Sequence, residues 1–195
     1  RFVPDEEKLK AKLELLCKKG FNKLLCENPA HIRTGKALGF ELYGGMDLHT
    51  SNSVSAEFFR NEGIHDIILS PELTLKQISA LNTGIHTGVY AYGKLSAMLM
   101  RQCPIKNEIG CKKCTGSLTD RTKRKFPVIC SGNYTELLNS VPIWMADKLP
   151  EFSGCSFILI DFTDESPDLV KHVSDAYRNG ADHKPDDFTR GLLYR

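Results

Sequence analysis

Long apolar runs are missing from this sequence. Cys155 to Ile160 falls far short of the roughly 20 residues a membrane helix needs and reads as a buried strand. No membrane partner is expected. A decisive charge of one sign is missing too: the formal net charge is +2, so nucleic acid or an acidic partner has to be argued from local clusters. No internal repeat stands out, which argues against a solenoid. No GxSxG elbow or HExxH helix is present, so neither a hydrolase elbow nor a zincin helix announces itself. No signal peptide is visible, and a start at Arg1 rather than Met is the start expected of an excised or processed chain. An even cysteine count is lacking as well. Seven cysteines argue against a fully paired disulfide framework and fit a reducing, cytoplasmic setting.

What is present is the composition of an ordinary globular protein, 41% hydrophobic and 26% charged over 195 residues, enough for one core or at most two small ones. Asp5 to Lys19 carries Leu9, Leu13, Leu16 and Cys17 at helical period, with Pro4 before it and Gly20 after it. Further helices are expected at Pro29–Leu38, Ser53–Asn61 (Val54, Phe58 and Phe59 inward), Pro71–Leu81, Lys94–Met100, part of Glu136–Leu149, and Pro167–Arg178. Strands are expected at Lys23–Cys26, Phe40–Tyr43, Asp66–Leu69, His86–Tyr92 and Phe157–Phe162. This alternation predicts an α/β fold: a partial TIM-barrel-like array of five or six βα units with parallel strands, in one domain over 1–195. A complete barrel does not fit, so the remaining part of the barrel or a second copy is an expected partner. The tail from Asn179 reads as irregular.

One segment breaks the rhythm. Residues 101–135 read as an inserted cysteine-rich loop, in which Leu118-Thr119 and Phe126–Ile129 can form the arms of a hairpin. It carries Cys103-x7-Cys111-x2-Cys114-x15-Cys130. A CxxC turn lets two thiolates converge on one ion, and a second pair completes a four-sulfur shell. Lys106, Lys112, Lys113, Arg121 and Arg124 would offset the thiolate charge. Zinc and a 4Fe-4S cluster both suit four cysteines, and spacing does not separate them. Cys17, Cys26 and Cys155 read instead as core residues, the first in a helix and the others in strands.

These same residues carry a resemblance. Arg101-Gln-Cys-Pro-Ile-Lys-Asn, Gly110-Cys-Lys-Lys-Cys, Leu118-Thr-Asp-Arg, Lys125-Phe-Pro-Val and Glu136-Leu-Leu-Asn-Ser-Val-Pro resemble the collagenase-like peptidase family U32. Leu69-Ser-Pro-Glu-Leu, Phe162-Thr-Asp-Glu-Ser and Asp187-Phe-Thr-Arg-Gly look like the same family. The resemblance implies the C-terminal portion of a longer protein with a TIM-barrel-like domain. It also implies two activities: peptidase action by the family label, and iron–sulfur-dependent hydroxylation of RNA bases or ubiquinone precursors by other members. Many relatives carry a cysteine nearer the Glu-Leu-Leu-Asn motif, where this chain has Gly132-Asn133-Tyr134.

A βα fold works at the C-terminal ends of its strands. Those positions hold Glu27, Asn28, Asp47, His49, Asn52, Ser70, Glu72, Tyr92, Arg101, Asp161, Thr163 and Asp164. His49, Glu72, Arg101 and Asp161 are the catalytic candidates among them. His65 and His86 begin strands at the opposite end, while His172 falls on a helix and His183 in the tail. Glu72 can instead favour a helix N-terminus, Ser166 and Asp164 can be caps, and Arg101 can pair with Asp120. The cations of the cysteine segment, including Lys123 and Lys125, could follow an RNA backbone, with Phe126 and Tyr134 as stacking faces.

Overall fold

Helix starts are specified locally, and here each long helix has its expected cap. In the computed structural model, which describes residues 5–131, 134–180 and 184–195, α1 (Glu6–Lys18) begins where the Asp5 carboxylate accepts from the Lys8 N–H at 3.1 Å. Asn28 does the same for Ala30 at the start of α2 (Pro29–Ala37), whose proline occupies the first turn. Asn52 and Ser55 form a reciprocal capping box on α3 (Ser53–Asn61). Thus Asn28 and Asn52, two polar residues of the anticipated rim, act as helix caps. Pro4, Gly132, Asn133 and His183 lie outside the described residues.

The chain divides into two compact units. The first, Arg1–Ala91 with Lys148–Ile160 and Arg190–Arg195, holds β1 (Lys23–Cys26), β2 (Glu41–Gly44), β3 (Ile64–Ile68) and α4 (Leu75–Ala80). It also holds most of β4 (His86–Gly93). These four strands pair in parallel in sequence order, with Leu25 beside Tyr43, Tyr43 beside Asp66, and Asp66 beside His86. A later strand, Phe157–Ile160, flanks β4, and no closed barrel forms among the described residues. One face of the sheet packs against helices: Leu9, Leu13 and Leu16 of α1, Ile32 of α2 and Phe59 of α3 meet Cys26, Leu42, Ile64 and Ile67. The opposite face is an open groove of about 370 Å³.

The second unit comprises Tyr92–Asp147 and Asp161–Thr189. It holds β5 (Ser96–Met100), α5 (Pro104–Ile109), β6 (Ser117–Thr119), β7 (Lys125–Cys130), β8 (Thr135–Leu138) and β9 (Ile143–Trp144). In full chain order β10 (Phe157–Ile160) then returns to the first unit, and α6 (Pro167–Asn179), capped by Ser166, belongs to the second. Strands β5, β8, β7 and β6 form an antiparallel sheet in that order. The core beside it is aromatic: the Trp144 ring meets Tyr92 at 6.0 Å and Tyr177 at 5.4 Å, both edge-on. The Tyr177 hydroxyl accepts the Met145 N–H at 2.8 Å.

Several expectations are corrected. Lys94–Met100 is not a helix, because seven residues are too few to hold one unaided and antiparallel pairing with β8 takes Ser96–Met100. Within Glu136–Leu149, the first residues belong to β8, and only a 3₁₀ segment, Ala146–Phe152, is helical. Residues 101–135 are not a structureless loop but contain α5, a 3₁₀ turn and the expected hairpin, with Leu118 opposite Phe126. Val54 and Phe58 point outward, at 78% and 57% exposure; only Phe59 is buried. Cys17 is exposed rather than core, and Cys155 precedes its strand.

The α3 geometry makes a measurable contrast. Phe59→Ala should cost about 3–5 kcal/mol in urea unfolding, whereas Phe58→Ala should stay within about 1 kcal/mol. Equal losses would contradict the observed orientation.

Candidate functional site

Each cysteine of the cluster is positioned by a different backbone device within the second unit. Cys103 is the N-cap of α5, and Pro104 fixes the first turn after it. The backbone N–H groups of Lys106 and Ile105 and the Thr135 hydroxyl pull its thiol below the ordinary cysteine range, the Lys106 N–H most strongly. Gly110, at φ 77°, turns the chain from α5 into the 3₁₀ turn Cys111–Lys113, which ends at Cys114. The Gly116 N–H donates to Cys114 Sγ at 3.4 Å, the contact that a thiolate accepts best. The Gly116 carbonyl in turn accepts from Val128 of β7 at 2.8 Å, the strand that ends in Cys130. Cys130 stands opposite Thr135 in the β7–β8 register.

Thr135 therefore adjoins both ends of the cluster, Cys103 through its hydroxyl and Cys130 through strand pairing. Cys111, Cys114 and Cys130 are exposed and Cys103 is half-buried. Among the described residues, no three histidine, cysteine, aspartate or glutamate side chains converge on one point. The thiols stand on linked elements rather than in a closed shell. Their chemistry nonetheless suits a thiolate-held ion: sulfur donors only, N–H groups facing sulfur, and cations on the same turn at Lys112 and Lys113.

The catalytic candidates fall in both units. In the first, His49 is exposed and follows a 3₁₀ turn with a left-handed backbone at φ 51°. Glu72 is also exposed, and its N–H donates to Ser70 Oγ at 3.3 Å. In the second, Arg101 is exposed and Asp161 is half-buried, its N–H donating to the Tyr92 carbonyl at 3.0 Å. The histidines with described hydrogen bonds meet backbone or carboxylate: His31 accepts the Glu27 N–H, and His65 and His86 both bond Asp66. Asp120 is engaged inside its own turn by Thr122 and the Arg124 N–H.

Two pairings escaped the sequence reading, which placed Glu27, Asp47, Tyr92 and Asp164 at strand ends without joining them. Beyond the β1 and β2 ends, Glu27 holds the Asp47 N–H at 2.8 Å, and a Cβ on Gly45 would lie 2.1 Å from that carboxyl carbon. A side chain at that position would have to displace the Glu27 carboxylate. In the second unit, Lys94, only 17% exposed, lies 2.6 Å from Asp164, while Tyr92 donates to Glu165 at 3.3 Å. A lysine beside a glycine carries no signal in one sequence, since the carboxylates that pair with it are some 70 positions away.

A sequence model described as Peptidase family U32 matches residues 3–190, nearly the whole chain. No curated protein and no solved structure matches. No helix among the described residues is long and apolar enough to cross a membrane.

Burial holds the His31 imidazole below its ordinary pKa, and its Nδ1 accepts the Glu27 N–H, which requires that nitrogen unprotonated. The unfolded chain takes up that proton near pH 6.5, the folded chain only at lower pH. Stability should therefore fall as pH drops below about 6.5, and His31→Gln should flatten that part of the curve. Urea midpoints between pH 5 and pH 7 give the comparison.

Proposed function

With the chain belonging to peptidase family U32, we propose that it is a collagenase-like peptidase domain carrying a four-cysteine centre on Cys103, Cys111, Cys114 and Cys130. The observation that carries the centre is the Gly116 N–H held against Cys114 Sγ, on a turn tied through the Gly116 carbonyl to the strand of Cys130. Metal uptake by cysteines is coupled to local folding, so an ion would draw the shell together. Such a shell holds either zinc, which staples structure, or a 4Fe-4S cluster, which passes electrons. Gly110 and Pro104 support this reading, since both fix backbone directions between the first two sulfurs.

Anaerobic purification, metal analysis and a visible spectrum test it beside a Cys111→Ala Cys114→Ala variant. The expected result is one metal centre per chain, absent from the variant. Iron with sulfide and broad visible absorbance would identify the cluster, and one colourless zinc the staple. Absence of metal from both samples would end the four-cysteine reading. Gelatin cleavage by the same samples tests the peptidase half separately.

A second reading, an RNA-modification factor, is favoured by one further observation. Asp120 is spent on Thr122 and Arg124 inside the β6–β7 turn, with Lys123 in the left-handed region at φ 65°. The single acid of that turn is thereby engaged by its neighbours, while Arg121, Lys123 and Lys125 remain exposed. RNA binding that weakens steeply with salt is expected. Arg121→Ala Lys123→Ala Lys125→Ala should lower the salt slope by about one for each phosphate no longer neutralised. Filter binding that detects no RNA at low salt would remove this reading.

A further inference from the structure

A hydroxyl buried in a strand is costly unless something accepts its proton. Thr135, the first residue of β8, is only 3% exposed, and valine would fill that position without a polar atom. Its hydroxyl meets the Cys103 thiol. The sheet register shows why the two come together. Within the second unit's sheet, β8 lies between β5 and β7, and Thr135 stands opposite Met100 on one side and Cys130 on the other. Only Arg101 and Gln102 separate Met100 from Cys103, the N-cap of α5. On the other side, the turn after Cys130 is closed by the Ser131 N–H on the Tyr134 carbonyl at 3.0 Å. Residues directly opposite in an antiparallel pair project their side chains from the same face. Cys130 and the Thr135 side chain therefore share one face, and the Thr135 hydroxyl meets Cys103 there.

We infer that Thr135 is a positioning residue for the centre: its hydroxyl donates to the Cys103 sulfur and holds that ligand on the face that carries Cys130. The inference rests on the four-cysteine reading and adds to it a residue that is not itself a ligand. The two halves of the set are then steadied alike. Cys114 Sγ takes the Gly116 N–H at 3.4 Å, and Gly116 is tied to β7 through its carbonyl. Cys103 takes the Thr135 hydroxyl, and Thr135 is tied to the same strand through its pairing with Cys130. Both donors are thereby fixed to β7. A hydrogen bond to a metal-held thiolate orients the sulfur and takes up part of its negative charge. Cys103 is the half-buried member of the four, the one to which water supplies such a bond least freely.

Chelator competition on the anaerobically purified full chain tests it, beside Thr135→Val and Thr135→Ser. The unaltered chain and Thr135→Ser should hold their metal alike, and Thr135→Val about tenfold or more weakly. Valine keeps the branched shape and strand preference of threonine, so the metal-free Thr135→Val chain should unfold at the unaltered urea midpoint. Equal metal retention by Thr135→Val overturns the inference and leaves the four-cysteine reading standing. So does Thr135→Ser binding as weakly as Thr135→Val, which would give the effect to the threonine methyl group. A metal-free urea midpoint that falls together with metal affinity also overturns it, giving the effect to the packing of β8. Should Thr135→Val fail to fold, Thr135→Ser and Thr135→Ala differ by the hydroxyl alone and give the same comparison. An unaltered chain that holds no metal removes the four-cysteine reading and this inference with it.

Discussion

The contact between one face of the parallel sheet and α1, α2 and α3 is the constraint on which the first unit depends. Parallel pairing sets Cys26, Leu42, Ile64 and Ile67 side by side, and the helices between the strands can reach only that surface. Apolar burial there contributes roughly 25 cal/mol for each Å² removed from water. Cys26 shows how dry the seam is: burial pushes its thiol up to about 12, which makes it an inert packing group. Because the seam fixes the strands, it fixes what lies at their ends. Glu27 with Asp47 stands at one end and Asp66 with two histidines towards the other.

The same constraint explains the open groove. Parallel sheets are normally covered on both faces, and their strands are correspondingly apolar on both. Here the second face mixes apolar Leu25, Ile68, Phe157 and Leu159 with Tyr43, Asp66 and Lys23. A face meant for water alone would not carry four large apolar side chains, and one meant for a dry core would not carry two charges.

In the second unit the organising feature is different. Short elements, each too small to be stable alone, are tied in series: α5 to the CxxC turn, that turn to β7, and β7 to β8 through Cys130 and Thr135. The cysteines sit at the joints. Residues at joints of short elements contribute little to a hydrophobic core, which accounts for their exposure.

Local signals determined much of this protein without tertiary help. Asp5, Asn28, Asn52 and Ser166 start their helices through contacts between near neighbours in the chain, Ser166 alone being read as a cap while Asn28 and Asn52 read as rim residues. The parallel βα alternation, the Leu118–Phe126 hairpin and the family to which the chain belongs were legible in the sequence as well. Tertiary structure alone decided the rest. Periodicity marked Phe58 and Phe59 alike, and only the position of the sheet selects which one is buried. Ser96–Met100 becomes a strand because β8 is there to pair with it. Lys94 with Asp164, and His86 with Asp66, meet across separations that no sequence window contains. A cap is settled within one helical turn, but a charge pair, a groove or an exposed face exists only once distant segments have been brought together by the burial that folds the chain.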